Sequence, residues 1–133
     1  MYLIDTSVWI ESLKKNSKFN IQKHFKEHEI FLCLPVYQEI LQGIRDDAVF
    51  WAVKKALDHS KFLEETLSKE IFEEATAIYR QARKKGITIR SSVDCLIAAI
   101  AIKNHGTIIH KDRDYSEISK FTTLKEKNIE SIL

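Results

Sequence analysis

The run from Ser91 to Ile102 constrains this chain more than any other feature, because Val93 and the stretch Cys95-Leu96-Ile97-Ala98-Ala99-Ile100-Ala101-Ile102 surround a single carboxylate, Asp94. A helix that is apolar nearly all round must be covered on every side, and twelve residues are too few to cross a bilayer. The remaining elements have to supply that cover. Tyr2-Leu3-Ile4, Ile30-Phe31-Leu32-Cys33 and Thr107-Ile108-Ile109 read as short buried strands. Between them lie longer helical patterns. Val8, Trp9, Ile10 and Leu13 form the buried side of a helix after Asp5-Thr6-Ser7, Phe19 to His28 reads as a basic, helix-like stretch, and Pro35 opens a helix carrying Glu39. Residues 46–59 place Val49, Ala52, Val53, Ala56 and Leu57 at helical spacing; residues 68–85 do the same with Ile71, Phe72, Ala75, Ile78, Tyr79 and Ala82, and Gly86 stops that helix. His105-Gly106 ends the apolar helix, and Lys111 to Tyr115 reads as a loop. Short apolar strands alternating with longer helices predict an α/β fold in three layers, with a mostly parallel sheet covered on both faces.

A chain of 133 residues, 44% of them hydrophobic, suffices for one core and is short for two, so one domain over 1–133 is expected. Three glycines and one proline leave no room for a Gly- or Pro-rich linker, and there is no internal repeat. The start Met-Tyr-Leu-Ile-Asp puts a carboxylate at position 5 and no apolar run reaches the ~18 residues of a membrane span, so a cytoplasmic location is expected. Cys33 and Cys95 lie in apolar segments without metal-ligand spacing, which reads as buried thiols in a reducing compartment. The net charge is only +2. Setting four candidate site acids aside leaves a surplus of about +6, a balance that tolerates a polyanionic partner without requiring one.

Ligands of open parallel sheets bind beyond the carboxyl ends of the strands, which is where Asp5 and Asp112 fall. Asp94 opens the apolar helix, and Glu39 belongs to the helix behind Pro35. Each acid has an ordinary structural explanation: Asp5 as a helix cap, Ser91-x-x-Asp94 as a capping box, Asp112 in a turn, Glu39 on a solvated face. Together they are harder to explain that way. Converging carboxylates repel and raise one another's pKa, whereas a hard divalent ion with oxygen ligands turns the same cluster into a binding site. His24, His28, His59, His105 and His110 show no zinc-like spacing. A magnesium site suits phosphodiester hydrolysis.

The segments Tyr-Leu-Ile-Asp-Thr-Ser-Val-Trp-Ile, Pro-Val-Tyr-Gln-Glu-Ile-Leu-Gln-Gly, Ser-Val-Asp-Cys-Leu-Ile-Ala-Ala and His-Lys-Asp-Arg-Asp-Tyr resemble, in order and over nearly the full chain, the four acidic motifs of VapC-type PIN domains. The resemblance implies a PIN-like α/β/α fold and a magnesium-dependent endoribonuclease, manganese being able to substitute. It implies a toxin of a VapBC-type toxin–antitoxin pair that cleaves structured RNA such as tRNA or rRNA, forms a homodimer and is inhibited by a VapB-like antitoxin. It maps Asp5, Glu39 and Asp94 onto the family's acids and the fourth onto Asp112, with Asp114 two residues on as the alternative. The expected arrangement has Asp5 and Asp94 holding the ion directly, with Glu39 and Asp112 acting through its waters or on a second ion. An antitoxin arginine reaching the carboxylates would displace the metal.

Further residues have two readings each. Thr6 and Ser7 serve either a carboxylate or substrate phosphate, or the start of a helix. Arg90 either contacts phosphate or orients a carboxylate, or is a surface residue. Trp9, Phe50 and Trp51 read as core or dimer surface rather than RNA-stacking platforms, and the lysines at 14, 15, 23, 26, 54, 55, 84 and 85 as solvated helix faces. Three rival functions fit the pattern less well. A phosphoacceptor regulatory domain wants adjacent acids after the first strand, where Thr6 follows Asp5; a haloacid-dehalogenase-like phosphatase wants an Asp where Ser7 stands; a catalytically inactive PIN-fold interaction module would not need all four acids.

Overall fold

In two of the inner strands successive residues enter opposite cores, as the two-residue period of a strand requires. Leu3, Leu32 and Ile108 belong to one buried cluster together with Val36, Ile78 and Ile97, whereas Ile4 and Ile109 belong to a second with Val8, Phe19, Ile21 and Ile129. In the computed structural model, which describes residues 1–132, the elements are β1 (Tyr2–Ile4), α1 (Thr6–Leu13), α2 (Ile21–His24), β2 (Ile30–Leu32), α3 (Leu34–Gln42), α4 (Asp47–Asp58), β3 (Lys61–Phe62), α5 (Lys69–Lys84), α6 (Ser92–Lys103), β4 (Thr107–His110), α7 (Arg113–Ser119) and β5 (Lys125–Asn128), with 3-10 turns at Glu27–Glu29 and Ile129–Ser131. All the strand pairs are parallel, in the order β3-β2-β1-β4-β5. The fold is thus the expected α/β/α, with α3, α5, α6 and α7 contributing to the larger core and α1 and α2 to the smaller.

The apolar run behaves as its composition demands. Ile97, Ala98, Ile100 and Ala101 of α6 are fully buried, and α6 packs chiefly against α5, whose Ile71, Ala75, Ile78 and Ala82 form its inward stripe. Ala99 and Ile102 of α6 lie beside Ile71 and Ile78 of α5.

Several details differ from the sequence reading. Only Ile21–His24 of the stretch from Phe19 to His28 is helical, followed by the 3-10 turn. On α1, Val8 is buried but Ile10 and Leu13 are 48% and 56% exposed, because the helix lies over one edge of the smaller core. On α4, Leu57 alone is buried, and Val49, Ala52 and Ala56 face outward; on α5, Phe72 and Tyr79 are likewise exposed. Helical periodicity marks an apolar face without saying whether the same chain covers it. Two strands, β3 and β5, had no apolar signal: they are the sheet's edges, and Lys125-Glu126-Lys127-Asn128 is as polar as an edge strand is expected to be. Position 113, read as loop, begins α7.

Candidate metal centre

The order of the sheet decides where the acids meet. β1 pairs with β2 on one side and β4 on the other, so the connections leave in opposite directions at the carboxyl ends of β1 and β4 and open a crevice there. Asp5 follows β1 and Asp112 lies two residues beyond β4; the Asp5 N–H extends the ladder by donating to the Ile109 carbonyl at 2.9 Å. Asp5 is also the N-cap of α1. Its Oδ2 accepts from the Ser7 N–H at 3.2 Å and the Ser7 hydroxyl at 2.7 Å, which leaves Oδ1 turned to the Tyr115 hydroxyl at 2.9 Å. Capping and clustering are therefore compatible, because the two oxygens of one carboxylate do different work.

Asp94 sits in the first turn of α6, where the helix N-terminus favours negative charge. The Tyr115 hydroxyl approaches its Oδ1 at 3.2 Å. Burial pushes Asp94 up to about 7, with further upward contributions from Asp5, Asp112 and Asp114 against the opposing Tyr115 hydrogen bond. Ligand atoms of Asp94, Asp112 and Asp114 all lie within 4.8 Å of one another. Glu39 reaches the site from α3, where its Oε1 accepts the Thr6 hydroxyl at 2.9 Å. Burial and then the Asp5 charge raise its pKa, opposed by the Thr6 hydrogen bond.

Asp112 caps α7, accepting the Asp114 N–H at 2.9 Å, and binds Arg90 Nη2 at 2.8 Å through the same oxygen. Asp114 is 1% exposed; its Oδ2 accepts the Arg90 backbone N–H at 3.1 Å and lies 3.6 Å from Arg90 Nε. Arg90 thus holds both acids of the loop while its own side chain stays 62% exposed. Of the singled-out residues, Thr6 and Ser7 each bond a site carboxylate and Arg90 bonds two. The structure brings Asp94, Asp112 and Asp114 into the tightest group, joins Asp5 to Asp94 through Tyr115, and leaves Glu39 at the margin beside Thr6.

Two parts of the site were given no role by the sequence reading. Tyr115 is fully buried and touches two of the acids. The available signal was its position three residues after Asp112, on the face that a helix starting at Arg113 turns inward. His110, also fully buried, accepts the Asp112 N–H at Nδ1 (3.1 Å), so its ring proton is at Nε2 and donates to Glu126 at 2.7 Å. A polar edge strand thereby fixes the loop that carries Asp112.

The donor set is oxygen only, drawn from half-buried or buried carboxylates, and the one hydroxyl hydrogen of Tyr115 faces two of them. That chemistry fits a hard divalent cation. It does not fit zinc, for which nitrogen and sulfur ligands would be expected: Cys33 and Cys95 are buried thiols pushed up to about 12 and about 11 by desolvation.

The chain is similar to known proteins over most of its length. The PIN-domain family model matches residues 2–121. The VapC ribonuclease Mb1587 of Mycobacterium bovis and the ribonuclease VapC11 of Mycobacterium tuberculosis are each 35% identical over 130 residues, covering 94% of this chain and 96% of theirs. Among solved structures, DNA-bound VapBC from Salmonella typhimurium superposes with a TM-score of 0.75 at 15% identity over 96% of both chains. FitAcB from Neisseria gonorrhoeae gives 0.74 at 15% identity, over 96% of this chain and 97% of the other. At that identity the structural likeness speaks for the fold.

Proposed function

This chain belongs to the PIN-domain family, and on that premise we propose that it is a metal-dependent endoribonuclease, the toxin of a VapBC-type toxin–antitoxin pair. The observation that carries this reading is the meeting of Asp5, Asp94, Asp112 and Asp114 at one crevice, with Glu39 beside it. The ribonuclease names of relatives 35% identical over nearly the whole chain support the reaction, and the VapBC neighbours support an antitoxin partner.

Asp5, Asp94, Asp112 and Glu39 are assigned to hold magnesium, or manganese in its place. When bound, the ion supplies Lewis acidity toward a phosphoryl oxygen and toward water. The chain's own part is orientation. Ser7 and Tyr115 fix both oxygens of Asp5; Thr6 fixes Glu39 at the rim; His110 fixes the backbone that carries Asp112. Asp114, paired to the Arg90 backbone, holds that arginine where its exposed guanidinium can turn from Asp112 to an RNA phosphate. The Arg90–Asp112 pair also supports an inhibitory role for an antitoxin arginine, because these carboxylates already accept a guanidinium.

Trp51, Phe72 and Tyr79, 63%, 49% and 39% exposed, support partners on α4 and α5 and hence the homodimer and the antitoxin complex. No described helix is long and apolar enough to cross a membrane, and the site of action we propose is the cytoplasm. Asp5→Asn and Asp94→Asn are expected to abolish cleavage of a structured RNA while circular dichroism stays that of the wild type. An active Asp5→Asn enzyme, free of contaminating nuclease, refutes the assignment. Mapping the 5′ ends of cellular RNA after a pulse of expression, beside Asp5→Asn, identifies the substrate.

A further inference from the structure

We infer that Tyr115 is a positioning residue of the proposed metal centre: its buried hydroxyl bridges the Asp5 and Asp94 carboxylates and fixes how they face one another. The inference rests on the proposed metal site and assigns to that site a residue outside the acidic set.

Three observations carry it. The hydroxyl lies 2.9 Å from Asp5 Oδ1 and 3.2 Å from Asp94 Oδ1, so it spans the end of β1 and the start of α6, elements that the sequence separates by most of the chain. Its residue is 0% exposed, with the His110 ring 5.2 Å away, so the hydroxyl is shut off from bulk water and has the two carboxylates as its polar partners. Finally, a phenol has one hydrogen. It donates to one carboxylate at a time, and the other carboxylate meets an oxygen lone pair at hydrogen-bond distance. A buried tyrosine placed only to satisfy a carboxylate needs one such partner. Two converging anionic partners around one donor make an arrangement that a cation completes, by drawing on the lone pairs that the phenol leaves unengaged. Asp5 adds to this asymmetry: Ser7 occupies its Oδ2, so Oδ1 is the oxygen left to Tyr115.

Phenylalanine at position 115 keeps the ring and deletes the hydroxyl. Removal of a group that orients metal ligands typically weakens metal affinity by about 10- to 100-fold. For Tyr115→Phe we therefore expect Mn2+ and Mg2+ titrated by calorimetry to bind at least about tenfold more weakly than to wild type. The rise in melting temperature produced by saturating wild-type metal concentrations should shrink in the variant. A merely structural hydroxyl moves the metal-free and metal-loaded melting temperatures together and leaves the rise intact, and that result overturns the inference.

A second measurement needs no variant that might fail to fold. Metal binding to wild type should perturb the tyrosine ultraviolet absorption along the calorimetric isotherm, and the perturbation should survive Tyr2→Phe, Tyr37→Phe and Tyr79→Phe, which replace the other three tyrosines. Absence of a tyrosine signal that tracks the metal overturns it as well. If wild type binds neither ion, the proposed function falls and takes the inference with it; if wild type binds and Tyr115→Phe binds equally, the inference alone falls.

Discussion

Asp94 combines two demands that oppose each other in the absence of a cation. In the proposed site it must be buried enough to sit under the crevice and charged enough to hold metal. Its folded pKa of about 7 lies above the ordinary carboxylate value of 3.8, with burial the main cause. A group shifted upward makes the folded state bind more protons than the unfolded state between those two values, so metal-free stability falls as pH rises from about 4 to about 7 and then levels off. Thermal melts in chelator should show that decline, and Asp94→Asn should remove its share of it; an equal slope in the variant contradicts the assignment. The same sign predicts that the melting-temperature rise on adding Mg2+ increases over this window, since protons and metal compete for one carboxylate. Asp5, Asp94 and Asp112 were legible as single residues because each is followed or preceded by an unmistakable element boundary. The hydrogen bonds that orient them, from Ser7, Tyr115 and the His110 ring, depend on side-chain direction across elements, which spacing does not encode.

α6 is the element on which the site stands. Its first turn carries Asp94, and its body is buried with Ala98 and Ala101 at 0% exposure. Adding a branched side chain there leaves it nowhere to go. Ala101→Leu is expected to cost about 1–3 kcal/mol by denaturant unfolding, and to weaken metal affinity because the helix that positions Asp94 shifts. A variant of unchanged stability would mean that the packing around buried Ala101 has room for a larger side chain. The edge strand β5 contributes in another way. Glu126→Ala leaves the buried His110 Nε2–H without its acceptor, a loss of about 1–3 kcal/mol. Helix boundaries at α4, α5 and α6 follow the sequence closely because caps and glycines are local signals. β3 and β5 escaped because an edge strand is defined by its neighbour's free hydrogen-bonding edge, with no apolar pattern of its own.

For the whole molecule, the sheet order gathers separate acids into one cluster, and metal binding at the proposed site should stabilise the entire fold. A ligand that binds only the native state adds about 2.7 kcal/mol at a free concentration ~100 times its Kd. Melting with and without excess Mg2+ measures this, and a melting temperature indifferent to both Mg2+ and Mn2+ at millimolar levels argues for an interaction module in place of an enzyme. The amino-acid sequence by itself determined the α/β class, the buried helix and the acidic residues, since hydrophobic period, capping and residue chemistry are properties of neighbours along the chain. Only the tertiary structure decided that β1 lies between β2 and β4, that Asp114 joins Asp94 and Asp112, that Tyr115 links Asp5 to Asp94, and that α4 and α5 leave apolar faces outward. Those are relations between segments far apart in the chain, set by which surfaces pack together.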